Sequence, residues 1–220
     1  MKITVIWDIH WLDKWEAIVN QEKDTDKFVF LWDYFDSFDI SEQDQIDNFY
    51  KIIKFKESNM DKVVLLLGNH EYHYLDKAEQ RYSWYNIVIK LNWAVQSTYE
   101  KWYFQLGYKY DKFLITHAGI SQSYLDRVGL SVDDVINMDL QDKDNLLMIW
   151  HSPSAYAEQS PIRIRKMLST YPVDWYIQIV GHTGVSEIEE NNGIYYVDCL
   201  WTSGEYVNIV GDTIEINKVR

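Results

Sequence analysis

Five short motifs in this chain combine aspartate, histidine and asparagine, side chains that bind transition metals. Each motif directly follows an apolar run that predicts a β-strand. Carboxylate, imidazole and amide-oxygen ligands together suit manganese, iron or zinc better than calcium. One Asp-x-His motif is weak evidence, but the ordered series, each member placed after a strand, indicates a single two-metal site. The motifs are Asp8-Ile9-His10, Asp33-Tyr34-Phe35-Asp36, Gly68-Asn69-His70-Glu71, Thr116-His117-Ala118-Gly119 and Gly181-His182-Thr183.

The strands before these motifs must end at one edge if the motifs are to form one site. Ligands of open α/β folds bind outside the carboxyl ends of the strands, which meets this requirement. Residues Leu12 to Gln21 read as a helix, and Ser41 with Asp44 three residues later predicts the start of another. The resulting β-α-β-α-β alternation predicts a layered α/β fold. The predicted strands before the motifs are Ile3–Ile6, Phe28–Leu31, Val63–Leu67, Phe113–Ile115 and Tyr176–Val180.

The remainder of the chain predicts a helical segment followed by further strands. Residues Lys77 to Phe104 are helical in pattern and rich in aromatic side chains. The last third reads as strands, with Gly211-Asp212 as a hairpin turn. We therefore predict one domain over residues 1–220, a two-sheet α/β sandwich with the metals at one edge. The later strands are predicted at Gly193–Cys199, Tyr206–Val210 and Thr213–Asn217.

Composition and charge narrow the class of protein and its partners. The 220 residues are 47% hydrophobic and 25% charged, as in ordinary soluble domains. The net charge of −13 argues against a nucleic-acid-binding surface, since phosphate backbones attract Lys and Arg. No apolar run reaches about 18 residues, so no membrane span is predicted. Cys199 is the single cysteine, so no internal disulfide is possible. The stretch before Asp8 is too short for a signal peptide, and together these features predict a cytoplasmic protein.

In order and spacing, the motifs resemble those of the calcineurin-like metallophosphoesterases. Within that superfamily the chain is most similar to the serine/threonine phosphoprotein phosphatases (PPP-type), whose motifs run G-D-x-H-G, G-D-x-x-D-R, G-N-H-E, an H-G-G-like motif and a late His. The resemblance extends from Ile3 to about Cys199, and Trp150-His151-Ser152-Pro153 is similar to the family's W-S-D-P region. It implies a metallophosphoesterase fold with a variable helical insertion at about residues 74–106. The short chain is similar to compact bacterial or phage enzymes, so the expected cytoplasm is that of a bacterial or phage-infected cell.

The resemblance implies two divalent metal ions as cofactors, with Mn²⁺ expected and Fe or Zn as alternatives. In this scheme Asn69 contacts the substrate as well as a metal. The implied metal ligands are Asp8 and His10 for the first ion, Asp33 for both ions, and Asn69, His117 and His182 for the second.

The resemblance also implies a proton donor beside the metals. His70 matches the histidine that protonates the leaving oxygen, and Asp36 matches the acid that holds that histidine in its working tautomer. A histidine oriented by a carboxylate is a sound general acid near neutral pH. The implied reaction is direct attack of a metal-bridging hydroxide on phosphorus, without a covalent enzyme intermediate. Glu71 is expected to hydrogen-bond behind the ligands, and His73, which has no counterpart in the family, is expected at the surface.

Two arginines of the family's phosphoprotein phosphatases are missing from this chain. Their positions hold Ser37, in the second motif, and Leu67, directly before the glycine of the third. One alternative is that Arg163 or Arg165 supplies one substrate-binding charge. The other is that both are surface residues on an amphipathic segment. The loss of the two arginines weakens the expectation of a phosphoprotein substrate.

Tryptophan occupies three positions where the family motifs have glycine. Trp7 and Trp11 flank the first motif, Trp32 begins the second, and the chain has 10 Trp but only 9 Gly. Glycine permits positive φ and close backbone approach, so an indole there predicts strain or crowding of the metals. One hypothesis is that the source reads UGA as glycine, as some bacterial lineages and their phages do. UGG codons at these positions would exclude it; Trp93 and Trp201 belong to the same hypothesis.

Three functions remain open from the sequence. The first is hydrolysis of phosphate monoesters, in phosphoproteins or phosphorylated small molecules. The second is hydrolysis of nucleotides, such as dinucleoside polyphosphates or cyclic phosphodiesters, which the missing arginines and the base-stacking potential of the aromatic segment favour. The third is a catalytically silent binding domain whose cleft is plugged by Trp7, Trp11 and Trp32, although the complete set of ligands argues against it.

Overall fold

The computed structural model describes residues 1–7, 9, 14–31, 34–35, 40–75, 89–150 and 159–220. The motif residues named above that lie outside this part are Asp8, His10, Trp11, Trp32, Asp33, Asp36, Ser37, His151, Ser152 and Pro153. The described strands are β1 (Lys2–Ile6), β2 (Lys27–Phe30), β3 (Val63–Leu66), β4 (Phe104–Gln105), β5 (Gly107–Tyr110), β6 (Phe113–Thr116), β7 (Ile177–Gly184), β8 (Glu189–Asn191), β9 (Ile194–Asp198), β10 (Glu205–Val210) and β11 (Thr213–Lys218). The described helices are α1 (Lys14–Gln21), α2 (Glu42–Ser58), α3 (Asn69–Tyr72), α4 (Ile89–Glu100), α5 (Gln122–Val128), α6 (Val132–Ile136) and α7 (Lys143–Trp150), with a 3₁₀ helix at Lys166–Thr170.

The first sheet has the strand order β11-β10-β1-β2-β3-β4. Strands β1 to β4 run parallel, and β10 and β11 add an antiparallel hairpin beside β1. Residues Ile3 to Ile6 and Phe28 to Phe30 are buried without alternation, as expected for parallel strands covered on both faces. Because β1, β2 and β3 are parallel, the first three motifs leave this sheet at one edge.

The second sheet has the strand order β5-β6-β7-β9-β8. Strands β6, β7 and β9 are parallel, while β5 and β8 pair antiparallel at the two ends of the sheet. Thr116, the last residue of β6, is opposite Val180 on β7. The fourth motif therefore begins at the end of β6, beside the fifth motif, which lies within β7 rather than after it as predicted.

These observations confirm the predicted two-sheet α/β sandwich, here with six and five strands. The predicted cap of α2 is also confirmed, because the Ser41 side chain accepts a hydrogen bond from the Asp44 amide at 3.2 Å. Gly211-Asp212 connects β10 to β11, as the hairpin prediction requires. Within the described ranges, no helix is long and apolar enough to cross a membrane.

The predicted helical segment differs from the structure at its C-terminal end. Residues Ile89–Glu100 form α4, but Phe104–Gln105 forms β4, which pairs in parallel with β3. The chain passes from helix to strand through Trp102, whose φ of 59° is left-handed. Aromatic residues suit a strand as well as a buried helix, so their periodicity does not separate the two. Residues 76–88 lie outside the described part of the chain.

Candidate metal centre

The third, fourth and fifth motifs meet where strands of the two sheets end. Gly68 follows β3 and is the N-cap residue of the short helix α3, so Asn69 stands directly at the strand end. His117 follows β6, and the Gly181 amide on β7 donates to the His117 carbonyl at 2.8 Å. The parallel pairing of β6 with β7 thus fixes the backbone around His117 and His182.

The side chains of these motifs converge. His117 is fully buried, and its Nε2 lies 2.8 Å from Asn69 Oδ1. The rings of His117 and His182 are 5.0 Å apart between centroids. Three side chains that the sequence predicts as ligands of one metal are therefore brought together from both sheets.

The geometry around His117 fits a divalent cation. Its Nδ1 lies 3.4 Å from the Leu31 carbonyl oxygen and its Nε2 lies 2.8 Å from Asn69 Oδ1; because both oxygens only accept, a neutral ring donates to one of them and not to both. When the proton is on Nδ1, the lone pair of Nε2 and Asn69 Oδ1 face each other. A cation between them satisfies both, and 2.8 Å is close to the separation of about 3 Å expected for adjacent ligand atoms bound at about 2.1 Å.

The other predicted ligands, Asp8, His10 and Asp33, lie outside the described residues. Within the described part, no group of three His, Cys, Asp or Glu side chains is placed to hold a metal. The predicted ligands in the described part are the imidazoles of His117 and His182 and the Asn69 amide, while the predicted carboxylate ligands belong to the first two motifs.

The backbone of His182 takes a conformation that only a few non-glycine residues adopt. Its φ is 59°, and the pairing of β7 with β9 shifts register between Val180 and Gly184. Bulges of this kind change where a side chain is aimed, and left-handed non-glycine residues concentrate at functional sites. This observation supports a binding role for His182 independently of its place in a motif.

Gly119 allows a second segment to pack against the fourth motif. Its φ is +112°, and a Cβ there would lie 2.1 Å from Leu168 Cδ2, so no larger residue fits. The Ala118 amide also donates to the Pro161 carbonyl at 2.8 Å. These contacts hold the segment from Ser160 to Leu168 along the edge of the site.

That segment brings one of the two candidate arginines to the centre. The Arg165 guanidinium is exposed and donates through Nη1 to the His182 carbonyl. Arg163 is half-buried in the turn two residues earlier. The structure thus places Arg165 in contact with the fifth motif.

Glu71 links the third motif to the second. Its side chain is fully buried, and Oε1 accepts a hydrogen bond from the Tyr34 amide at 3.2 Å. Burial, and then the charge of Glu71, raises the pKa of the Tyr34 hydroxyl well above its ordinary value, so the phenol stays neutral. The carboxylate therefore fixes the spacing of two motifs, in line with the expected supporting role.

The two histidines next to Asn69 and Glu71 occupy different environments. His70 is half-buried in the first turn of α3, and its predicted partner Asp36 lies outside the described residues. His73, expected at the surface, is instead buried at 1% exposure and stands edge-to-face with Tyr72 at 5.9 Å. The expectation for His73 was wrong because α3 ends there inside the fold rather than at its surface.

Trp7, just before the first motif, is almost fully buried. Trp7 does not have a positive φ, so its backbone lacks the left-handed strain that the sequence predicted at this position. Its indole N–H has no acceptor within the described part of the chain. The side chain that sequence analysis missed on this side of the site is Asn48, which donates to the Ile9 carbonyl at 2.9 Å.

Comparisons with known proteins agree with the fold and the motifs. A family model, described as calcineurin-like phosphoesterase, matches residues 1–186. The crystal structure of a mutant cold-active protein tyrosine phosphatase is 18% identical, with a TM-score of 0.64 over 100% of this chain and 80% of that one. A protein serine/threonine phosphatase from Saccharomyces cerevisiae, with similarity to human phosphatase PP5, is 15% identical, with a TM-score of 0.58 over the same shares, 100% and 80%. At these identities the two structures show a shared fold; no curated protein matches.

Proposed function

Because this chain belongs to the calcineurin-like phosphoesterase family of metal-dependent hydrolases, we propose that it hydrolyses phosphate monoesters at a two-metal centre. The observation that carries the proposal is the convergence of Asn69, His117 and His182, with His117 Nε2 and Asn69 Oδ1 2.8 Å apart. Mn²⁺ is the proposed metal, with Fe or Zn as alternatives, because the donors combine imidazole with oxygen ligands. Phosphorylated small molecules and phosphoproteins are the proposed substrate classes.

The predicted ligands divide between two ions. Asn69, His117 and His182 would hold the second ion, and the first motif would hold the first, with Asp33 between them. When bound, the metal pair supplies an activated water and neutralises the phosphoryl oxygens. The Leu31 carbonyl, 3.4 Å from His117 Nδ1, is the proposed acceptor that would hold the tautomer in which Nε2 binds the metal.

His70 is the proposed general acid. It directly follows the ligand Asn69 at the start of α3, and this placement in the chain supports the proposal. In this role the imidazolium donates its proton to the oxygen of the departing alcohol, and Asp36 keeps the ring oriented. Glu71 supports this arrangement by tying the loop of the second motif to α3.

Arg165 is the proposed contact to the phosphoryl group. One N–H of its guanidinium is held by the His182 carbonyl, which fixes the group at the rim of the site. Guanidinium groups bind phosphate oxygens through paired hydrogen bonds. Arg163 remains a second proposed contact, and Asn69 is proposed to contact substrate through its amide.

A nucleotide substrate is the second candidate. Leu67, at a position where the phosphoprotein phosphatases carry arginine, is fully buried, so this chain presents no charge there. With less positive charge at the phosphate-binding side of the site, a substrate must gain binding energy from another group. The base of a nucleotide is such a group. Hydrolysis of a dinucleoside polyphosphate or a cyclic phosphodiester would follow the same division of ligands.

The test is hydrolysis of p-nitrophenyl phosphate with Mn²⁺, with a chelator control. Phosphoserine peptide, dinucleoside tetraphosphate and a cyclic nucleotide then compete as inhibitors. We expect Mn²⁺-dependent turnover that the chelator abolishes, and strongest competition from the phosphopeptide. Strongest competition from a nucleotide would favour the second candidate. If the protein binds Mn²⁺ but hydrolyses none of these compounds, the result would favour a catalytically silent binding domain.

A further inference from the structure

The loop between Asp8 and His10 is held by a side chain outside every motif. Ile9, the residue between these two predicted ligands, is buried, and its carbonyl accepts a hydrogen bond from Asn48 Nδ2 at 2.9 Å. Asn48 lies on α2 and is itself only 2% exposed. A buried amide of this kind is retained only where its polar atoms have partners.

The other end of the Asn48 amide is also engaged. Its Oδ1 accepts from the Trp15 indole N–H at 2.9 Å, and that group is a donor only. The oxygen of Asn48 must therefore face Trp15, which leaves the NH₂ group facing Ile9. The orientation of the Asn48 amide is therefore fixed by its two partners, a group that only donates and a group that only accepts.

Trp15 is in turn held by aromatic packing. Its ring stands edge-to-face with Phe30 at 5.9 Å and tilted against Phe55 at 5.7 Å. Trp15 belongs to α1, the helix that follows the first motif, while Phe55 belongs to α2. One side chain of α2 thus ties down both the loop of the first motif and the helix after it.

We propose that Asn48 is a positioning residue for the first metal. This inference rests on the proposed function, in which Asp8 and His10 bind that ion. Substitution of partners behind metal ligands typically lowers metal affinity by about 10–100-fold. Asn48 acts here through the backbone between the ligands, so its loss should loosen their spacing.

The test measures Mn²⁺ binding to the metal-free protein by calorimetry. Asn48→Leu keeps the shape of the side chain and removes both hydrogen bonds, and we expect about tenfold weaker binding of one ion. Trp15→Phe keeps the Asn48 donor but releases its oxygen, and we expect a smaller loss in the same direction. This second variant also serves if Asn48→Leu does not fold.

Thr4→Val is the matched control. Thr4 is a fully buried residue of β1 whose hydroxyl contacts Thr25 at 2.6 Å and Asn208 at 2.8 Å, and neither partner belongs to a motif. It should lower thermal stability without changing Mn²⁺ affinity. Unchanged affinity in the folded Asn48 and Trp15 variants, or an equal loss in Thr4→Val, would overturn the proposal. A wild-type chain that binds no Mn²⁺ would overturn the proposed function and this inference together.

A different observation carries a second inference, about tryptophan. The described non-glycine residues with positive φ are Trp102, Asp111, Trp175, His182 and Asn192. Asp and Asn tolerate a positive φ, and His182 lies at the proposed metal centre. Neither explanation applies to tryptophan, a bulky residue for which a positive φ is unfavourable.

Neither tryptophan gains packing in return. Trp175, with φ of 74°, is 94% exposed, and Trp102, with φ of 59°, is 64% exposed. Trp15, in contrast, is buried, donates a hydrogen bond and packs on two rings. We propose that positions 102 and 175 are glycine in the native protein, encoded by UGA, and that position 15 is a true tryptophan.

The gene tests this directly. We expect UGA at codons 102 and 175 and UGG at codon 15, and a peptide mass of the native protein that contains glycine at both positions. Trp175→Gly should raise Tm by about 2–4 °C because it relieves a left-handed side chain, whereas Trp15→Gly should lower Tm. UGG at codon 102 or 175, or a lower Tm for Trp175→Gly, would overturn the proposal.

Discussion

Two clusters of polar side chains in this fold, each built around a buried residue, differ in how their members meet. The first, the Glu22 network, consists of Lys2, Glu22, Tyr206 and Asn208. Glu22 accepts from the Tyr206 hydroxyl at 2.5 Å and the Asn208 amide at 2.9 Å, and it pairs with the Lys2 ammonium at 2.6 Å. Each contact joins a donor to an acceptor, so the network satisfies its charges within the chain.

The second, the His117 cluster, consists of Asn69, His117 and His182. Here three proposed metal ligands from both sheets converge, with His117 Nε2 at 2.8 Å from Asn69 Oδ1. One member also takes a left-handed backbone, which the Glu22 network does not require. The contrast is between donor–acceptor pairs that satisfy a buried charge and side chains that we propose to converge on a cation.

The largest effect is expected where the His117 cluster loses a ligand. His117→Ala should reduce kcat/KM by about a thousandfold or more, because the metals supply several kcal/mol of transition-state stabilisation. Asp33→Asn should act alike. The measurement is Mn²⁺-dependent hydrolysis of p-nitrophenyl phosphate alongside thermal unfolding of the metal-free protein. Full activity in a folded His117→Ala protein would remove the cluster from the mechanism.

The general acid offers the next effect in size. His70→Asn should retain metal but lower kcat by about 10²–10⁴-fold on an alkyl phosphate, whose leaving group needs a proton. The loss should be much smaller on p-nitrophenyl phosphate, because nitrophenolate departs without one. Equal losses on the two substrates would show that His70 does not donate the proton.

A substitution in the Glu22 network should lower the stability of the fold without changing turnover. Glu22→Gln removes a buried charge that accepts several hydrogen bonds, so the free energy of unfolding should fall by about 1–3 kcal/mol. The kcat of the folded protein should match wild type, as checked by urea unfolding and by Mn²⁺-saturated activity. A large loss of kcat at unchanged stability would erase the contrast between the clusters.

Acid should weaken the Glu22 network in a defined direction. Burial opposes ionisation of Glu22, but hydrogen bonds from Lys2, Tyr206 and Asn208 together hold its pKa below the ordinary value. A lowered folded-state pKa gives stability that is present above the unfolded pKa and is lost as pH falls through the folded one. We therefore expect the urea midpoints of wild type and Glu22→Gln to converge below about pH 4. A constant difference between them down to pH 2 would be inconsistent with this assignment.

The smallest effect is expected at the rim of the site. Arg165→Met should raise KM by about tenfold with little change in kcat, since one charged hydrogen bond to the phosphoryl group is lost. Arg127→Met is the matched control, because Arg127 lies on α5 over the Tyr124 ring at 5.2 Å. Equal KM values for the two variants would place Arg165 outside the substrate site.

The sequence predicted those parts of the site that depend on strand ends. Asn69 and His117 follow strands whose apolar runs are unbroken, so their position at one edge follows from parallel pairing. The left-handed turn at His182 arises from a register shift between β7 and β9, which no local pattern encodes. Asn48 reads as one polar residue of an amphipathic helix, and its role depends on Ile9 and Trp15, which are distant in the chain.

The most direct test of the central claim is metal content after dialysis. Wild type, His117→Ala and Glu22→Gln are stripped with a chelator, dialysed against Mn²⁺ and measured by elemental analysis. If the His117 cluster is a metal site and the Glu22 network is not, wild type and Glu22→Gln will hold the same amount of Mn²⁺ and His117→Ala will hold less. Equal Mn²⁺ in all three proteins would contradict the assignment of His117 as a ligand.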